Sequence, residues 1–264
     1  MSASGPRPLV SISVVTHGQG DLLGEVLADL SRLADPVPIE VILTKNIPER
    51  LPFSVEDLPY PVKIVENVAA KGFGANHNAA FRLAAGEWFC VMNPDIRLKG
   101  NPFPHLLACL ANPSVGVAAP RVLGVQGEIE DSARRFPSPL TILCKALGRC
   151  KGSDYAIAES PLYPDWVGGM FMLFPCSVYA KAGGFDERYF LYYEDVGLCA
   201  RLQLQGSRVI LCPRAEVVHH ARRSSHRNLS YLRWHLGSMM RFFLSPVYWR
   251  VLYRKWTTGK HEQA

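Results

Sequence analysis

A short uncharged segment that runs directly into Asn93–Pro94–Asp95 constrains the fold of this chain more than any other stretch. The preceding five residues, Trp88–Met92, carry no charge, and an apolar run of this length is typical of a strand buried in a parallel sheet. Proline has no backbone N–H to donate, so the strand must end before Pro94. We therefore expect Asp95 at the carboxyl edge of the sheet, where open α/β sheets bind ligands. There its carboxylate either binds a ligand or forms a turn.

Strands and helices alternate along the first 95 residues. Leu9–Thr16, Ile39–Leu43 and Val62–Val65 predict strands, whereas the leucine spacing of Leu22–Leu33 and the segment Asn76–Ala85 predict helices. This alternation indicates an α/β fold with a mostly parallel central sheet that is flanked by helices. The sequence has no Gly-x-Gly-x-x-Gly after its first strand and no Walker loop, which argues against a dinucleotide-binding fold and a P-loop.

The periodicity weakens after Asp95. Residues 124–165 are polar, with proline and glycine, and predict a long functional or mobile loop. The remaining predicted strands are 115–119, 166–174 and 208–212, and the remaining predicted helices are 102–110, 177–182 and 194–205, with an amphipathic pattern over 229–256.

Composition narrows the class of protein. With 264 residues and 48% apolar residues, the chain can bury a substantial core. The seven cysteines include no Cys-x-x-Cys pair, which predicts reduced thiols and no structural zinc site. We find neither a signal-peptide pattern nor an apolar run of the roughly 20 residues that span a bilayer. A cytoplasmic protein is therefore expected.

The positive charge is concentrated near the C-terminus. The net charge is +6, and residues 221–264 contain nine Lys or Arg but one acidic residue. Arginines there alternate with aromatic residues, as at Arg233–Trp234 and Arg241–Phe242, a mixture that suits an anionic membrane surface. Two interpretations stay open: peripheral attachment to the inner face of the cytoplasmic membrane, or a C-terminal helix that packs on the domain.

Two groups of residues could carry chemistry. Glu194–Asp195 follows an aromatic run and begins a predicted helix, so these acids either offset the helix dipole or form a partly desolvated general base. Asp95 and His219 each follow a predicted strand and could share a divalent metal ion with a diphosphate substrate.

Two further segments could bind phosphate. Lys71–Asn76 is a glycine-containing turn before a helix, and a helix N-terminus can receive a phosphate or a sugar hydroxyl; the alternative is a simple loop. Arg222–Ser225 could bind phosphate in the same way or be a solvated loop.

In this order the segments resemble family 2 glycosyltransferases of the GT-A fold over residues 9–225. Asn93–Pro94–Asp95, in place of the more common Asp-x-Asp, is similar to the rhamnosyltransferases that build bacterial surface polysaccharides of the cell envelope. The other matching segments are Ser11–Thr16, Asn67–Asn78, Gly183–Glu187, Phe190–Asp195, and His219 with Ser224–Ser225.

The resemblance implies a role for each matching residue. Asp95 and His219 would bind Mg²⁺ or Mn²⁺, with His220 the less favoured second ligand. Asp195 would be the catalytic base, and Glu194 would orient it or the acceptor. The implied donor-binding residues are Thr16, Lys71, Gly74, Asn76, Asn93 and Asp95, and the implied acceptor-binding residues are Trp166, Gly168, Gly169 and Tyr193.

The activity implied is an inverting, metal-dependent transfer of a sugar, with rhamnose from dTDP-rhamnose favoured over UDP-sugars. The acceptor would be a saccharide or a lipid-linked glycan, and no nucleic acid would bind. The implied GT-A domain is 1–225, with a nucleotide-binding half at about 9–95 and an acceptor half at about 96–225. Residues 226–264 would form a basic, aromatic-rich helical extension.

The chain departs from the family pattern at three places. His17–Gly18–Gln19 replaces an aromatic-Asn pair, Thr44–Lys45–Asn46 replaces an Asp that reads the nucleobase, and Gly197 replaces a second acid. The first two departures leave open a non-catalytic subunit that binds sugar nucleotides or acts as a scaffold. A nucleotidyltransferase is disfavoured because the turn after the first strand lacks cations.

Overall fold

The computed structural model describes residues 8–33, 35, 37–149, 152–220 and 229–261. The strands are β1 (Val10–Thr16), β2 (Ile39–Lys45), β3 (Val62–Glu66), β4 (Trp88–Met92), β5 (Ile96–Arg97), β6 (Val115–Leu123), β7 (Ala133–Arg134), β8 (Trp166–Val167), β9 (Phe171–Pro175) and β10 (Arg208–His219). The helices are α1 (Gly20–Ser31), α2 (Phe73–Phe81), α3 (Phe103–Leu110), α4 (Pro139–Ala146), α5 (Cys176–Lys181), α6 (Glu194–Leu204), α7 (Leu229–Phe243) and α8 (Pro246–His261).

Eight strands form one central sheet in the order β3-β2-β1-β4-β9-β6-β10-β5. The first four are mutually parallel, and β6 is parallel to β10. Only β9, between β4 and β6, and the edge strand β5 run against their neighbours in this sheet. The expected α/β fold with a mostly parallel central sheet is confirmed.

Strand β4 lies in the middle of the sheet, as its sequence predicts. Phe89 and Val91 face one hydrophobic core, whereas Cys90 and Met92 face the other, and all four are fully buried. Helices α1 and α3 cover one face of the sheet, and α2, α5 and α6 cover the other. Burial on both faces explains why this strand has no polar alternation.

The prediction of a single strand over residues 166–174 is wrong. Strand β8 pairs with β7 in a separate two-stranded sheet, and β9 belongs to the central sheet. The break falls at Gly168–Gly169, where the Gly168 N–H donates to the Ser132 carbonyl and the Gly169 N–H donates to Asp195. The apolar run is continuous in sequence, but its backbone changes hydrogen-bonding partners midway.

Strand β10 extends seven residues beyond its predicted end at Cys212 and stops at His219. Its pairing with β6 shifts register between Cys212 and Glu216, and the irregularity accommodates Pro213 within the strand. The end of β10 then pairs with β5, which places His219 opposite Ile96.

Three other local predictions need correction. Helix α2 covers Phe73–Phe81 rather than 76–85, because its backbone leaves the extended conformation directly after Gly72. The predicted loop 124–165 contains β7 and α4. Cys144 is disulfide-bonded, so the expectation of reduced thiols is wrong for this residue; a scan for Cys-x-x-Cys does not detect bonds at other spacings.

The C-terminal amphipathic stretch forms two helices, which are interrupted before Pro246 because proline begins a helix but does not continue one. Phe242, Tyr248 and Val251 pack into a third core with Tyr193 and Val196. None of the helices in the described ranges is long and apolar enough to span a membrane. The boundary predicted at residue 225 stays a prediction.

Candidate active site

A turn of backbone groups holds Asp95 at the carboxyl edge of β4. The Ile96 N–H donates to the Asn93 carbonyl at 3.3 Å, and the Asn93 N–H donates to the Met170 carbonyl at 2.9 Å. Main-chain hydrogen bonds thus close the turn, and the Asp95 carboxylate takes no part in them. Its Oδ1 atom is buried and has no hydrogen-bond partner within the described structure.

His219 lies between two carboxylates. Its Nε2 atom is 3.4 Å from Oδ2 of Asp95, and its Nδ1 atom is 2.9 Å from Oε2 of Glu130. Burial alone would lower the pKa of His219, but the hydrogen bonds and charges of Asp95 and Glu130 raise this pKa to about 9. At neutral pH the ring is therefore protonated when only these groups surround it.

The residues of this cluster fit a divalent metal ion. A carboxylate oxygen is a ligand for both Mg²⁺ and Mn²⁺, whereas an imidazole nitrogen suits the transition-metal ion Mn²⁺ better than Mg²⁺. The unpartnered Oδ1 of Asp95 leaves ligand capacity. Glu130 is placed as the outer carboxylate that fixes a ligating histidine ring. The described residues contain no group of three His, Cys, Asp or Glu arranged to hold a metal. His220 reaches Asp95 through its backbone N–H at 2.8 Å.

A strained loop of residues 190–193 delivers Glu194 and Asp195. Tyr192 and Tyr193 have φ values of 70° and 68°, a left-handed conformation that costs about 1–3 kcal/mol for each non-glycine residue and is concentrated at functional sites. Helix α6 starts directly afterwards, without a side-chain cap from Tyr193. The strain fixes the direction in which the two acids enter the site.

Backbone amides hold both oxygens of Asp195. Oδ2 accepts from the Gly169 N–H at 3.0 Å, and Oδ1 accepts from the Val196 N–H at 2.8 Å. Burial raises the pKa of Asp195, although these amides oppose the rise. Glu194 is 5% exposed, its Oε2 has no partner among the described residues, and burial with the charge of Asp195 raises its pKa well above the usual range. Asp195 therefore has an orientation fixed by the main chain and a pKa above that of a solvent-exposed aspartate.

The predicted acceptor residues differ in their contacts, and Gly169 is the one shown against Asp195 among the described residues. A Cβ on Gly169 would lie 3.6 Å from that of Asp195 and 3.3 Å from the Phe73 ring. Trp166 donates through Nε1 to the Arg135 carbonyl at 2.9 Å, and its ring lies 5.6 Å from the Arg134 guanidinium. A Cβ on Gly168 would press on Met170, whereas the buried Tyr193 ring packs with α7.

Most predicted donor residues make structural contacts. The fully buried Asn76 accepts from Asn67 at 2.7 Å and donates to the Lys71 carbonyl at 3.2 Å. A Cβ on Gly74 would lie 2.6 Å from that of Phe185. The buried Thr16 hydroxyl accepts from the Gln19 N–H at 3.2 Å and shapes the turn after β1. Lys71 is exposed beside this network.

Asn46 belongs to the segment Thr44–Asn46, which replaces the base-reading acid of the family pattern, and its side chain also makes structural contacts. Its Oδ1 accepts from the Lys71 N–H at 2.8 Å and from Asn67 at 3.0 Å. Next to it, a cavity of about 670 Å³ opens at the carboxyl ends of β2 and β3. Its lining consists of Lys45, Ile47, Pro48, Glu49, Arg50, Leu51, Glu66 and Asn67.

Sequence reasoning missed Glu130 and the link between the two predicted subsites. Glu130 is 89 residues from His219 and lies in a polar segment without a motif. The Phe73 N–H donates to the Phe190 carbonyl at 2.8 Å, which joins the Lys71 turn to the 190–193 loop. The phosphate-binding alternative at Arg222–Ser225 lies outside the described residues.

Comparison with known proteins identifies the family of this chain. Residues 11–173 match the family described as Glycosyl transferase family 2. The chain is 30% identical to the N-acetylglucosaminyl-diphospho-decaprenol L-rhamnosyltransferase of Mycobacterium tuberculosis (strain H37Rv), over 94% of this chain and 89% of that protein. It is 28% identical to rhamnosyltransferase WbbL of Escherichia coli (strain K12), over 89% of this chain and 92% of that protein.

Among solved structures, the chain is similar to the mannosyltransferase PcManGT from Pyrobaculum calidifontis in complex with GDP-Man and Mn²⁺. The TM-score is 0.59 at 19% identity, over 89% of this chain and 65% of that chain. This likeness shows the fold, and the family match covers more than half of the sequence. The chain belongs to glycosyl transferase family 2: it is a glycosyltransferase of the GT-A fold, similar to bacterial rhamnosyltransferases.

Proposed function

We propose that this enzyme transfers rhamnose from dTDP-rhamnose to a saccharide carried on a membrane lipid, with inversion at the anomeric carbon. The observation that carries the proposal is the Asp195 carboxylate, held by two backbone amides beside Gly169. The rhamnosyltransferase names of two relatives support the choice of sugar.

The acceptor side provides the base. Asp195 removes the proton from the acceptor hydroxyl as the hydroxyl oxygen bonds to the anomeric carbon and the bond to the diphosphate breaks. One displacement of this kind inverts the carbon and needs no covalent enzyme intermediate. Glu194, buried next to Asp195, keeps the loop and the acceptor in position.

The donor side provides the cation site. Asp95 and His219 would hold Mg²⁺ or Mn²⁺, which neutralises charge on the departing nucleoside diphosphate. Lys71 faces solvent on the turn joined to the 190–193 loop and is placed to attract the diphosphate. The cavity beside Lys45 and Asn67 is the proposed nucleoside pocket.

The proposed acceptor is a glycan precursor attached to a polyprenyl diphosphate, because the relative with 30% identity is named for such a substrate. The product would enter a polysaccharide of the cell envelope. We place the enzyme at the inner face of the cytoplasmic membrane, attached through the residue 226–264 extension.

The test is an assay of the purified chain with dTDP-rhamnose, an N-acetylglucosaminyl-diphospho-polyprenol acceptor, and either Mn²⁺ or EDTA. We expect release of dTDP and a product whose anomeric configuration is opposite to that of the donor, determined by NMR. Retained configuration would contradict the single displacement. Equal turnover in EDTA would contradict the cation site, and transfer only from a UDP- or GDP-sugar would contradict the donor.

One observation favours a second candidate, a subunit that binds sugar nucleotides without turnover. The segment Thr44–Asn46 replaces an acid that reads the base in the family pattern, and the Asn46 side chain is bound to the Lys71 turn. Tight binding of nucleoside diphosphates with no release of diphosphate from any donor, over a broad acceptor panel, would support this candidate over the enzyme.

A further inference from the structure

Helix α7 has apolar residues on two opposite faces. On its inner face, Trp234 stacks on Phe190 with ring centroids 4.7 Å apart, and Phe242 is fully buried. We define the outer face of α7 as the six residues that line a shallow cavity of about 480 Å³. They are Leu229, Leu232, Arg233, Leu236, Gly237 and Met240.

The outer face exposes more apolar surface than a solvated helix normally does. Leu229 is 84% exposed, Leu232 54%, Leu236 46% and Met240 52%. These residues recur at spacings of three and four, so they form one continuous stripe. A contiguous exposed patch of this kind marks a docking site for a protein or a membrane.

Charge distinguishes between those two occupants. Residues 229–261 contain no Asp or Glu, and Arg233 lies among the leucines of the outer face of α7. A second copy of this chain, docked through the same face, would bring two basic patches together, and residues 229–261 offer no acidic side chain to pair with them. An anionic bilayer complements the patch, since each cation near its surface contributes about 1 kcal/mol of binding.

The inner face of α7 contacts the loop that delivers the base. The Ser238 hydroxyl donates to the Leu191 carbonyl at 2.8 Å, and the His235 ring lies 5.2 Å from Tyr192 and 5.5 Å from Tyr193. Only the thickness of one helix, about 10 Å, therefore separates the outer face from the 190–193 loop. By contrast, Lys255 of α8 is paired with Asp165 and fastens that helix to the domain.

We infer that the outer face of α7 docks on an anionic phospholipid bilayer. Its leucines and Met240 enter the boundary between head groups and acyl chains, while Arg233 meets the phosphate groups. The inference deepens the proposed function, on which it rests for the lipid-linked acceptor, because a bilayer at this face would present that acceptor to Asp195.

The test is co-sedimentation of the full chain with vesicles of phosphatidylcholine, with and without phosphatidylglycerol. We expect binding only when phosphatidylglycerol is present, with weaker binding at high salt. The combined variant Leu232→Gln, Leu236→Gln, Met240→Gln should partition at least about tenfold less. Leu83→Gln, at a residue that is 45% exposed in the nucleotide-binding half, should bind as the unchanged protein does.

Four results would overturn the inference. The first two are unchanged vesicle binding of the triple variant, and loss of binding only in the α8 variant that combines Leu252→Gln with Trp256→Gln. The third is equal binding to vesicles of pure phosphatidylcholine. The fourth is a dimer that forms without lipid and that the triple substitution dissociates. Unchanged thermal unfolding establishes that the variants fold. A triple variant that loses vesicle binding but still transfers sugar to a water-soluble acceptor supports the inference. An unchanged protein that binds vesicles but transfers to no acceptor contradicts only the proposed function.

Discussion

At the scale of single residues, His219 shows how its neighbours set the chemistry of a side chain. Asp95 contacts the Nε2 atom of the His219 ring, and Glu130 contacts the Nδ1 atom. The ring therefore cannot rotate without losing an interaction with a carboxylate. Fixed orientation is what a metal-ligating histidine requires, and an outer carboxylate commonly provides it. We therefore expect Glu130 to act through His219 rather than on the substrate.

Replacing Glu130 tests this positioning. Glu130→Ala should weaken Mn²⁺-dependent binding of a nucleoside diphosphate by about 10–100-fold, as removal of an outer carboxylate typically does. Glu130→Gln should recover part of the affinity, because its amide oxygen still accepts from the ring. Calorimetry with dTDP and Mn²⁺ measures both. Glu128→Ala, an exposed acid in the same segment, is the control, and unchanged affinity in Glu130→Ala would refute the role.

Replacing Asp195 tests the base. Asp195→Asn keeps the size of the side chain but cannot take a proton, so turnover should fall by about 10²–10⁴-fold. Affinity for dTDP should stay the same, because Asp95 and His219 are untouched. Stopped assays and calorimetry separate the two quantities. Asp57→Asn, an exposed acid far along the sequence, is the matched control. Near-normal turnover in Asp195→Asn would remove this residue as the base.

The pH profile provides an independent test of the same residue. The base works only when deprotonated, and burial raises the pKa of Asp195 above its ordinary value of 3.8. Activity should therefore fall on the acid side at a higher pH than a solvent-exposed aspartate would give. Steady-state rates between pH 4 and pH 8, at saturating donor and cation, measure this limb. An acid limb at the pH expected of an exposed aspartate would contradict the buried base.

At the scale of elements, the site depends on loops that touch each other. The turn before α2 meets the 190–193 loop at Gly72, where a Cβ would lie 2.8 Å from both the Cα and the carbonyl oxygen of Phe190. The Phe73 N–H bonds to that same carbonyl. Glycine is needed here because the two main chains approach too closely for any side chain.

Adding one methyl group tests this contact. Gly72→Ala should force the 190–193 loop away from α2, with a loss of about 1–3 kcal/mol in unfolding free energy from overpacking and a reduced kcat. Gly100→Ala, where a Cβ meets nothing within 4 Å, should leave both quantities unchanged. Urea unfolding and steady-state kinetics provide the measurements. Wild-type stability and kcat in Gly72→Ala would show that the loops are not coupled here.

At the scale of the whole molecule, Glu40 connects the nucleotide-binding half. Its side chain accepts from the Ser11 hydroxyl and from the Ala85 N–H, both at 2.6 Å, and pairs with Lys63 at 2.7 Å. Burial alone would raise the pKa of Glu40, but Lys63, Ser11 and the Ala85 N–H outweigh it and lower this pKa. The ionised carboxylate thus holds β1, β2, β3 and the segment before β4 together.

The lowered pKa of Glu40 predicts that the protein loses folding stability in acid. The stabilisation is complete above the unfolded-state pKa of about 4.3, and it is lost as the pH falls through the lower folded-state value. Glu40→Gln should cost about 1–3 kcal/mol at pH 7 and should flatten the loss of stability on acidification. Urea unfolding at several pH values provides the measurement, with Asp57→Asn as control. An unchanged acid slope in Glu40→Gln would contradict this account.

Much of the nucleotide-binding half could be predicted from local sequence. Strand β4 matches its predicted bounds, and β1 to β3 match within two residues, because a strand buried on both faces must be apolar throughout. Asp95 was expected at the edge for a local reason too, since Pro94 ends the strand. Because Asp95 and His219 each follow a predicted strand, the sequence allows them to meet at one edge of the sheet, and the structure brings the two side chains to 3.4 Å.

By itself, the sequence determined the alternation of elements, the central strand and the position of Asp95 at its edge, because these depend on contacts between near neighbours in the chain. Only the tertiary structure decided the rest. Strand β10 continues past Pro213 to His219 because it pairs with β6 and β5. Glu130 contacts the His219 ring although the two residues are 89 positions apart. The apolar run 166–174 is interrupted at Gly168–Gly169, where the Gly169 N–H donates to the Asp195 carboxylate. Such contacts join distant segments, and no local pattern encodes which partner a backbone amide or a carboxylate will find.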